Sequence, residues 1–360
     1  MNRAKTVLVT GGLGFIGSAV ARRLIRQSDS RVVVLDAMTY AAIPSAAEEC
    51  RQSERYVLEK GDIRDTEFLR GVFAKYPPDL VMHLAAESHV DRSIDGPDAF
   101  IQTNIVGTFN LLQAARGHLE ALDEEARRRF RFHHVSTDEV FGSLAPDGQA
   151  FTETTRYDPR SPYSASKAAS DHLVRAWAET FGLPVVLSNC SNNYGPWQYP
   201  EKLIPVMIAK GRAGAAMPVY GKGENVRDWL HVDDHAEALL LIASEGRLGE
   251  SYNVGGGAER TNLEVVEAIC AALDRHFPEK APHRDLISFV KDRPGHDFRY
   301  AIDYAKIEQE FGWRPKRRFE EGIRETVDWY LENEDWWGGI LLSTGGAARL
   351  GLADKLTPTK

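Results

Sequence analysis

Cysteine is scarce in this chain. Three occur in 360 residues, Cys50, Cys190 and Cys270, far apart and without CxxC spacing. That argues against a disulfide framework and a structural zinc site, so no metal is expected and a reducing cytoplasm is the expected setting. Long hydrophobic runs are missing too. No stretch approaches the ~18 consecutive apolar residues of a membrane-spanning helix, so no membrane partner is expected. The start, MNRAKTVLVTGG, passes from basic residues straight into a strand pattern and a glycine turn, which is expected to leave no room for a signal peptide. Positive charge is in the minority: 44 Lys and Arg stand against 52 Asp and Glu, a formal net charge of -8. A protein that wraps nucleic acid is more often basic, so no nucleic-acid partner is expected; a local basic pocket for a phosphate-bearing ligand stays open.

The remaining composition, 43% hydrophobic and 27% charged, is that of a folded globular chain. At this length one large or two unequal domains are expected. Short apolar runs at Thr6 to Thr10, Val32 to Leu35, Tyr56 to Leu58, Leu80 to Leu84, Arg131 to Ser136 and Pro184 to Asn189 alternate with helical patterns. Among these are Ser18 to Gln27, Glu67 to Lys75, Asn104 to Arg116 and Ser164 to Thr180. That alternation predicts an α/β fold, a doubly wound parallel sheet of the Rossmann type over residues 1–190. Residues 229–255 are expected to return to it. Residues 191–228 and 256–335 are expected to form a smaller, discontinuous substrate-binding domain. The tail 336–360, glycine-rich and mixed with apolar residues, is expected to be poorly ordered. The EEARRR run at 124 to 129 reads as a solvated helix face.

Glycines 11, 14 and 17 fall between the first strand and the first helix. In that position they allow a tight turn and bring backbone N–H groups and the helix N-terminus close to a pyrophosphate. The spacing is GxxGxxG, not GxGxxG. The next strand ends at Asp36, whose carboxylate suits ribose hydroxyls and repels a 2'-phosphate, favouring NAD over NADP. Asp62 and Ile63 end the third strand, where an adenine edge would lie, although a plain turn explains them equally. Leu84, Ala85 and Ala86 follow the fourth strand and permit close approach.

Tyr163 and Lys167 lie four apart at the start of a predicted helix, on one face. An ammonium beside a phenol favours the phenolate, so Tyr163 is a candidate base. As an isolated YxxxK the pair reads as a surface accident; a nucleotide turn upstream reverses that reading. Thr137, Asp138 and Glu139 follow the strand Arg131 to Ser136, at the carboxyl end where such sheets bind ligands. Two adjacent carboxyls can divide acid and base roles if their environments separate them. Read locally, they are also an acidic turn or helix cap.

With these motifs assembled, the chain resembles the nucleotide-sugar branch of the extended short-chain dehydrogenase/reductase family. The segments that carry the resemblance are TGGLGFIGS at 10 to 18, HLAAESHVDRSI at 83 to 94, STDEVFG at 136 to 142, SPYSASKAASDHLVRAW at 161 to 177, SNNYGPWQYPEKLIP at 191 to 205, YGKGENVRDWLHVDDH at 220 to 235 and DRPGHDFRYAID at 292 to 303. TGGxGFIG and YxxxK are shared by many relatives; the TDE triplet with NNYGP and RPGHD is narrower and resembles the 4,6-dehydratases. The resemblance implies tightly bound NAD, dTDP-glucose as substrate and internal redox with loss of water. It implies that Tyr163 takes the 4-hydroxyl proton, with Lys167 lowering its pKa and Thr137 orienting the hydroxyl. Glu139 would remove the C5 proton and Asp138 protonate the leaving 6-hydroxyl. Cys190 and Asn192 would line the nicotinamide and sugar region. Ser88, His89 and Arg92 would lie in the loop near the phosphates. Arg227 and Arg293 would meet the diphosphate, Asn262 and His296 the diphosphate or ribose, and Lys202, Leu203, Pro218 and Tyr220 the base. It further implies a homodimer through a four-helix bundle of the segments Asn104 to Gly117 and Ser164 to Thr180. The rival readings are a dehydratase of another nucleotide sugar, a 4-epimerase, which needs no acid/base pair beside C5 and C6, and a non-catalytic NAD-binding scaffold, which predicts a damaged Tyr, Lys or TDE set.

Overall fold

The computed structural model describes residues 5–292 and 295–343. Its strands are β1 Thr6–Thr10, β2 Arg31–Asp36, β3 Tyr56–Lys60, β4 Leu80–His83, β5 Arg131–Thr137, β6 Val185–Cys190, β7 Asn192–Tyr194, β8 Met217–Tyr220, β9 Val226–His231, β10 Ser251–Val254, β11 Glu259–Thr261 and β12 Ile287–Val290. Seven of them form one sheet in the order β10-β6-β5-β4-β1-β2-β3. Every pairing in it is parallel. Strands β1, β2 and β6 are buried almost throughout, as a sheet covered on both faces requires. The chain winds outward from β1 through β2 to β3, then returns to β4 on the other side. The crevice between the carboxyl ends of β1 and β4 is therefore the switch point where such sheets take ligands.

The boundaries predicted from periodicity mostly hold within two or three residues. The largest exception follows Phe100. A helix was expected from Asn104, but Ile101–Gly107 forms a wider π-type turn before the α-helix Thr108–Ala121. Asn104 explains the turn. Its Oδ1 accepts the Glu87 N–H at 2.9 Å, and its Nδ2 donates to the Glu87 carbonyl at 3.0 Å and to Ser166 Oγ at 2.8 Å. The side chain thus pins the loop after β4 to the helix Pro162–Phe181, work that a regular turn would aim elsewhere. The EEARRR run forms the helix Glu124–Arg129, with no buried residue.

A second core lies beyond the sheet. Helices Leu203–Arg212, Asn262–His276 and Phe319–Glu332 pack around Val265, Ile269, Leu273, Ile323 and Val327. Strands β11, β9 and β7 make one small sheet, and β12 pairs with β8. The sequence put the crossing back to the large sheet at residue 229, yet Trp229 sits in the second core, its ring 6.3 Å from that of Tyr194. The first residue packed on the β1 side is Val232, opening the helix Val232–Glu245, whose Ala236, Leu239 and Ala243 share a core with Val20 and Leu24. A second return, not foreseen, brings Ile307 and Trp313 against Val186, Tyr252 and Val254. The start of the expected tail is a helix, Glu334–Ser343, with Trp337 buried in the second core; residues 344–360 lie outside the described residues. No helix among the described residues is long and apolar enough to cross a membrane.

Candidate active site

A cavity of about 490 Å³ opens at the switch point. Gly11 takes φ +69°, and a Cβ there would stand 2.7 Å from the Ala85 backbone, so only glycine lets β1 and the loop after β4 approach this closely. A Cβ on Gly17 would stand 2.1 Å from the Gly11 carbonyl oxygen. The helix Phe15–Gln27 begins at Gly14 with no side-chain cap and no acidic residue in its first turn, so its N-terminal N–H groups are left for a ligand.

The Asp36 carboxyl is held at the end of β2 by the N–H groups of Leu13 at 3.0 Å and Met38 at 2.8 Å. Burial raises its pKa against those two hydrogen bonds. Asp62 is partly buried, but bonds from Arg64, at 2.7 and 3.0 Å from the guanidinium and 2.8 Å from the backbone, win and lower its pKa. Ile63 is buried against Gly107, which has no side chain to push it away. All fourteen residues expected to hold the cofactor line this one cavity: Gly11, Gly14, Phe15, Ile16, Gly17, Asp36, Asp62, Ile63, Leu84, Ala85, Ala86, Tyr163, Lys167 and Cys190.

Thr137, Asp138 and Glu139 line the same cavity. Thr137 is the last residue of β5, level with Cys190 at the end of β6. The strand stops because Thr137 Oγ1 accepts the Glu139 N–H at 3.3 Å and caps a short 3-10 turn, Asp138–Phe141. Asp138 is 1% exposed, and its Oδ2 has no hydrogen-bond partner. Burial first, then the charges of Glu139 and Asp228, raise its pKa well above the carboxylate range. Its environment therefore favours the protonated form, the state a proton donor needs.

Tyr163 and Lys167 project from the first turns of the helix Pro162–Phe181, which a Ser161–Ser164 capping box and Pro162 at N1 start at this point. Both are buried. Burial, then Glu139 and Cys190, push the Tyr163 phenol well up, while a hydrogen bond with Thr137 pulls the other way. Lys167 Nζ donates to the Val135 carbonyl at 2.9 Å, and burial lowers its pKa. Behind it, buried Asp171 accepts from Ser136 at 2.8 Å and Tyr157 at 2.9 Å and contacts His134 at 3.0 Å.

A second cavity of about 490 Å³ shares Ser88, Glu139, Asn192, Tyr199, Glu201 and Lys202 with the first. The described residues expected to hold substrate all line it: Ser88, Asn192, Lys202, Leu203, Pro218, Tyr220, Arg227, Asn262 and His296, together with His89 and Arg92. Arg293 lies outside the described residues. Arg227 is buried, lies 4.2 Å from the Tyr300 ring centre and donates to the carbonyls of Val226 at 2.7 Å and Asp297 at 2.9 Å. Lys202 Nζ donates to the Ser88 carbonyl at 3.2 Å, and His296 pairs with Asp292 at 2.7 Å.

Sequence reasoning missed the rim. Arg92 lies 3.9 Å over the Tyr40 ring, and its Nε is 3.2 Å from Glu201, which also accepts from the Tyr40 hydroxyl at 3.2 Å. Three separate segments meet there, two loops and the short helix Val90–Asp95, so no local spacing announces the cluster. Asn104, Tyr199 and Tyr300 were also missed. Asn104 acts through the backbone, and the other two are single aromatics in loops.

Residues 8–326 match the family described as GDP-mannose 4,6 dehydratase. The dTDP-glucose 4,6-dehydratase of Neisseria meningitidis serogroup B is 55% identical over 351 residues, 96% of this chain and 99% of that one. A solved dTDP-glucose 4,6-dehydratase of Streptomyces venezuelae with NAD bound superposes with a TM-score of 0.85 at 42% identity, covering 93% of this chain and 99% of that chain. A UDP-glucose 4-epimerase of Thermus thermophilus in complex with NAD is more distant: TM-score 0.79 and 31% identity, over 91% of this chain and 99% of that chain.

Proposed function

We infer the activity from a chain that belongs to the GDP-mannose 4,6 dehydratase family and, within it, groups with the dTDP-glucose 4,6-dehydratases: it converts dTDP-glucose to dTDP-4-dehydro-6-deoxy-glucose and water, with NAD as cofactor. The observation that carries the reading is the acidic pair where the two cavities meet, Asp138 buried beside the first and Glu139 lining both. Oxidation at C4 alone, or epimerisation, needs no such pair.

The site suits the cofactor. The glycine cradle would be filled by any Cβ, and the Asp36 carboxyl suits two ribose hydroxyls better than a phosphate. NAD, when bound, would supply the hydride chemistry at C4 and C6. Gly11, Gly14 and Gly17 would hold its pyrophosphate, Asp36 the adenosine ribose, Asp62 and Ile63 the adenine edge, and Leu84 to Ala86 with Cys190 the nicotinamide half.

In this reading Tyr163 takes the 4-hydroxyl proton and Thr137 orients that hydroxyl. Lys167, fixed on the Val135 carbonyl, favours the phenolate by its charge. The resulting ketone acidifies C5, where Glu139 removes the proton and, once water has left and C6 is reduced, returns one. Asp138 gives its proton to the 6-hydroxyl, which leaves as water. Arg227 meets the diphosphate, as a guanidinium suits phosphate. Asn262 and His296 hold the ribose end, and Lys202, Leu203, Pro218 and Tyr220 the base.

A homodimer through the helices Thr108–Ala121 and Pro162–Phe181 belongs to the same reading. Its support is the run of exposed apolar side chains Ile101, Val106, Phe109 and Phe181. A reducing, cytoplasmic setting fits three cysteines that are all buried and free. Mass spectrometry of the purified protein with dTDP-glucose tests the function. Loss of one water with no reduced nicotinamide accumulating is expected; unchanged mass with inversion at C4 would make the chain an epimerase.

A further inference from the structure

The helix Glu334–Ser343 begins eight residues past the end of the family match at 326 and was expected from its sequence to be loose. It is instead fixed at several points. Arg212 Nε meets Glu334 at 2.6 Å, and Trp337 Nε1 donates to the Tyr330 carbonyl at 2.7 Å. The Trp336 ring packs 5.0 Å from Trp197 and 5.5 Å from Trp329. Trp197 itself belongs to the loop that carries Tyr199, Glu201 and Lys202 into both cavities, so the tryptophan cluster joins this helix to the substrate side.

Two residues of the helix, Ile340 and Leu341, line the second cavity. Leu203, Val206, Met207 and Lys210 line it as well, and their i, i+3, i+4, i+7 spacing is one face of the helix Leu203–Arg212. Apart from Lys210 this wall is apolar, and it comes from two helices. Glu139 and Asn192 add polar lining that the cavity shares with the first. A nucleotide sugar likewise has apolar and polar parts. Its reacting hexose belongs beside Glu139, its charged diphosphate beside Arg227, and its flat base is the only part whose faces prefer an apolar surface.

We propose that the helix Glu334–Ser343 is part of the substrate site, with Ile340 and Leu341 closing its base-binding end and favouring a base that carries a methyl group. This rests on the nucleotide-sugar reading above but assigns specificity to residues beyond the family match. Trp336 is a positioning residue, holding the helix to the Trp197 loop. Thymine differs from uracil by one methyl, and one methyl in an apolar pocket is worth roughly tenfold or more in discrimination.

The test is calorimetric titration of the full-length protein with dTDP and with dUDP, which differ by the base methyl alone, beside dehydration of dTDP-glucose by the unaltered chain. Ile340→Ala with Leu341→Ala is expected to weaken dTDP about tenfold and dUDP less, and to raise KM for dTDP-glucose more than it lowers kcat. Leu341→Trp, which fills the end of the cavity without removing apolar surface, is expected to weaken dTDP more than dUDP. Affinities equal to those of the unaltered chain in both variants would overturn the proposal and leave the helix a structural brace. The two readings fail separately. An unaltered chain that binds dTDP but does not dehydrate dTDP-glucose defeats the proposed reaction and leaves the base site standing, whereas dehydration with unchanged nucleotide affinities in the variants defeats only the base site.

Discussion

Asp138 and Glu139 are neighbours in sequence and strangers in environment. Asp138 is 1% exposed with an unpartnered carboxyl oxygen, while Glu139 reaches the boundary of both cavities. A strand that ends at Thr137 and turns at once produces this split, because the 3-10 turn points successive side chains about 120° apart. Burial, with the charges of Glu139 and Asp228, thereby favours the protonated form of Asp138 and leaves Glu139 at the cavity boundary.

Glu139→Gln separates the steps. The amide keeps the shape but cannot take the C5 proton. We expect kcat to fall by about 10²–10⁴ while oxidation at C4 survives. On mixing with dTDP-glucose, reduced-nicotinamide absorbance should rise and persist, with no mass loss and no deuterium entering C5 from heavy water. Rapid deuterium exchange in the variant would remove Glu139 from the role of base.

Asp138→Asn links catalysis to stability. The folded-state pKa of Asp138 is raised well above its unfolded value of ~3.9, chiefly by burial. Its contribution is therefore fully present below that unfolded value and is lost as pH rises, since the unfolded chain then gives up a proton that the folded chain keeps. The loss runs at about 1.4 kcal/mol per pH unit until the folded pKa is passed. Asparagine removes this dependence. Relative to the unaltered protein, the variant should melt higher at about pH 7.5 than it does at about pH 4.5, while losing activity. A melting-temperature difference independent of pH would show that Asp138 is ionised in the fold.

Much of this was legible beforehand for a physical reason. Buried parallel strands are short apolar runs, and a nucleotide turn needs glycine at fixed points; both are local demands on sequence. Asp36 could be placed because it ends a strand that the apolar run defines. What was not legible depends on chain segments meeting. Arg92 lies on the short helix Val90–Asp95 and Tyr40 and Glu201 on two loops, and nothing near any of them signals the other two. The helix Glu334–Ser343 was missed because its glycines and leucines lack an amphipathic period, and what fixes it is a tryptophan more than 130 residues away in the chain, Trp197. The return near residue 229 is gradual: Trp229 packs in the second core, Leu230 against Val186 and Val254 of the large sheet, and Val232 on the β1 side.

Phe109→Asp should produce a monomer. Phe109 is 40% exposed on the helix Thr108–Ala121, beside Val106 and Ile101 at 37% and 41%. A carboxylate in the centre of a buried helix-to-helix contact costs several kcal/mol if it stays charged, enough to dissociate a standard interface. Light scattering after size exclusion should give twice the chain mass for the unaltered protein and the single-chain mass for the variant. A monomer in both cases would remove the four-helix contact from the reading.

Lys167→Met and Tyr163→Phe should both be slow, and pH should tell them apart. The Tyr163 phenol is pushed up by burial and by the charge of Glu139, so it needs a nearby cation to ionise near neutrality. Lys167 is the basic group one turn along the same helix face, and its bond to the Val135 carbonyl fixes its ammonium in the first cavity. Removing that charge raises the phenol pKa further. The rising limb of kcat against pH should then move to higher pH in Lys167→Met, and alkaline buffer should restore part of the rate. Tyr163→Phe has no proton acceptor to recover, so its loss of about 10²–10⁴ should persist at every pH. Parallel profiles in the two variants would mean that Lys167 serves only to hold the cofactor, and that the charge bringing Tyr163 into range comes from another group.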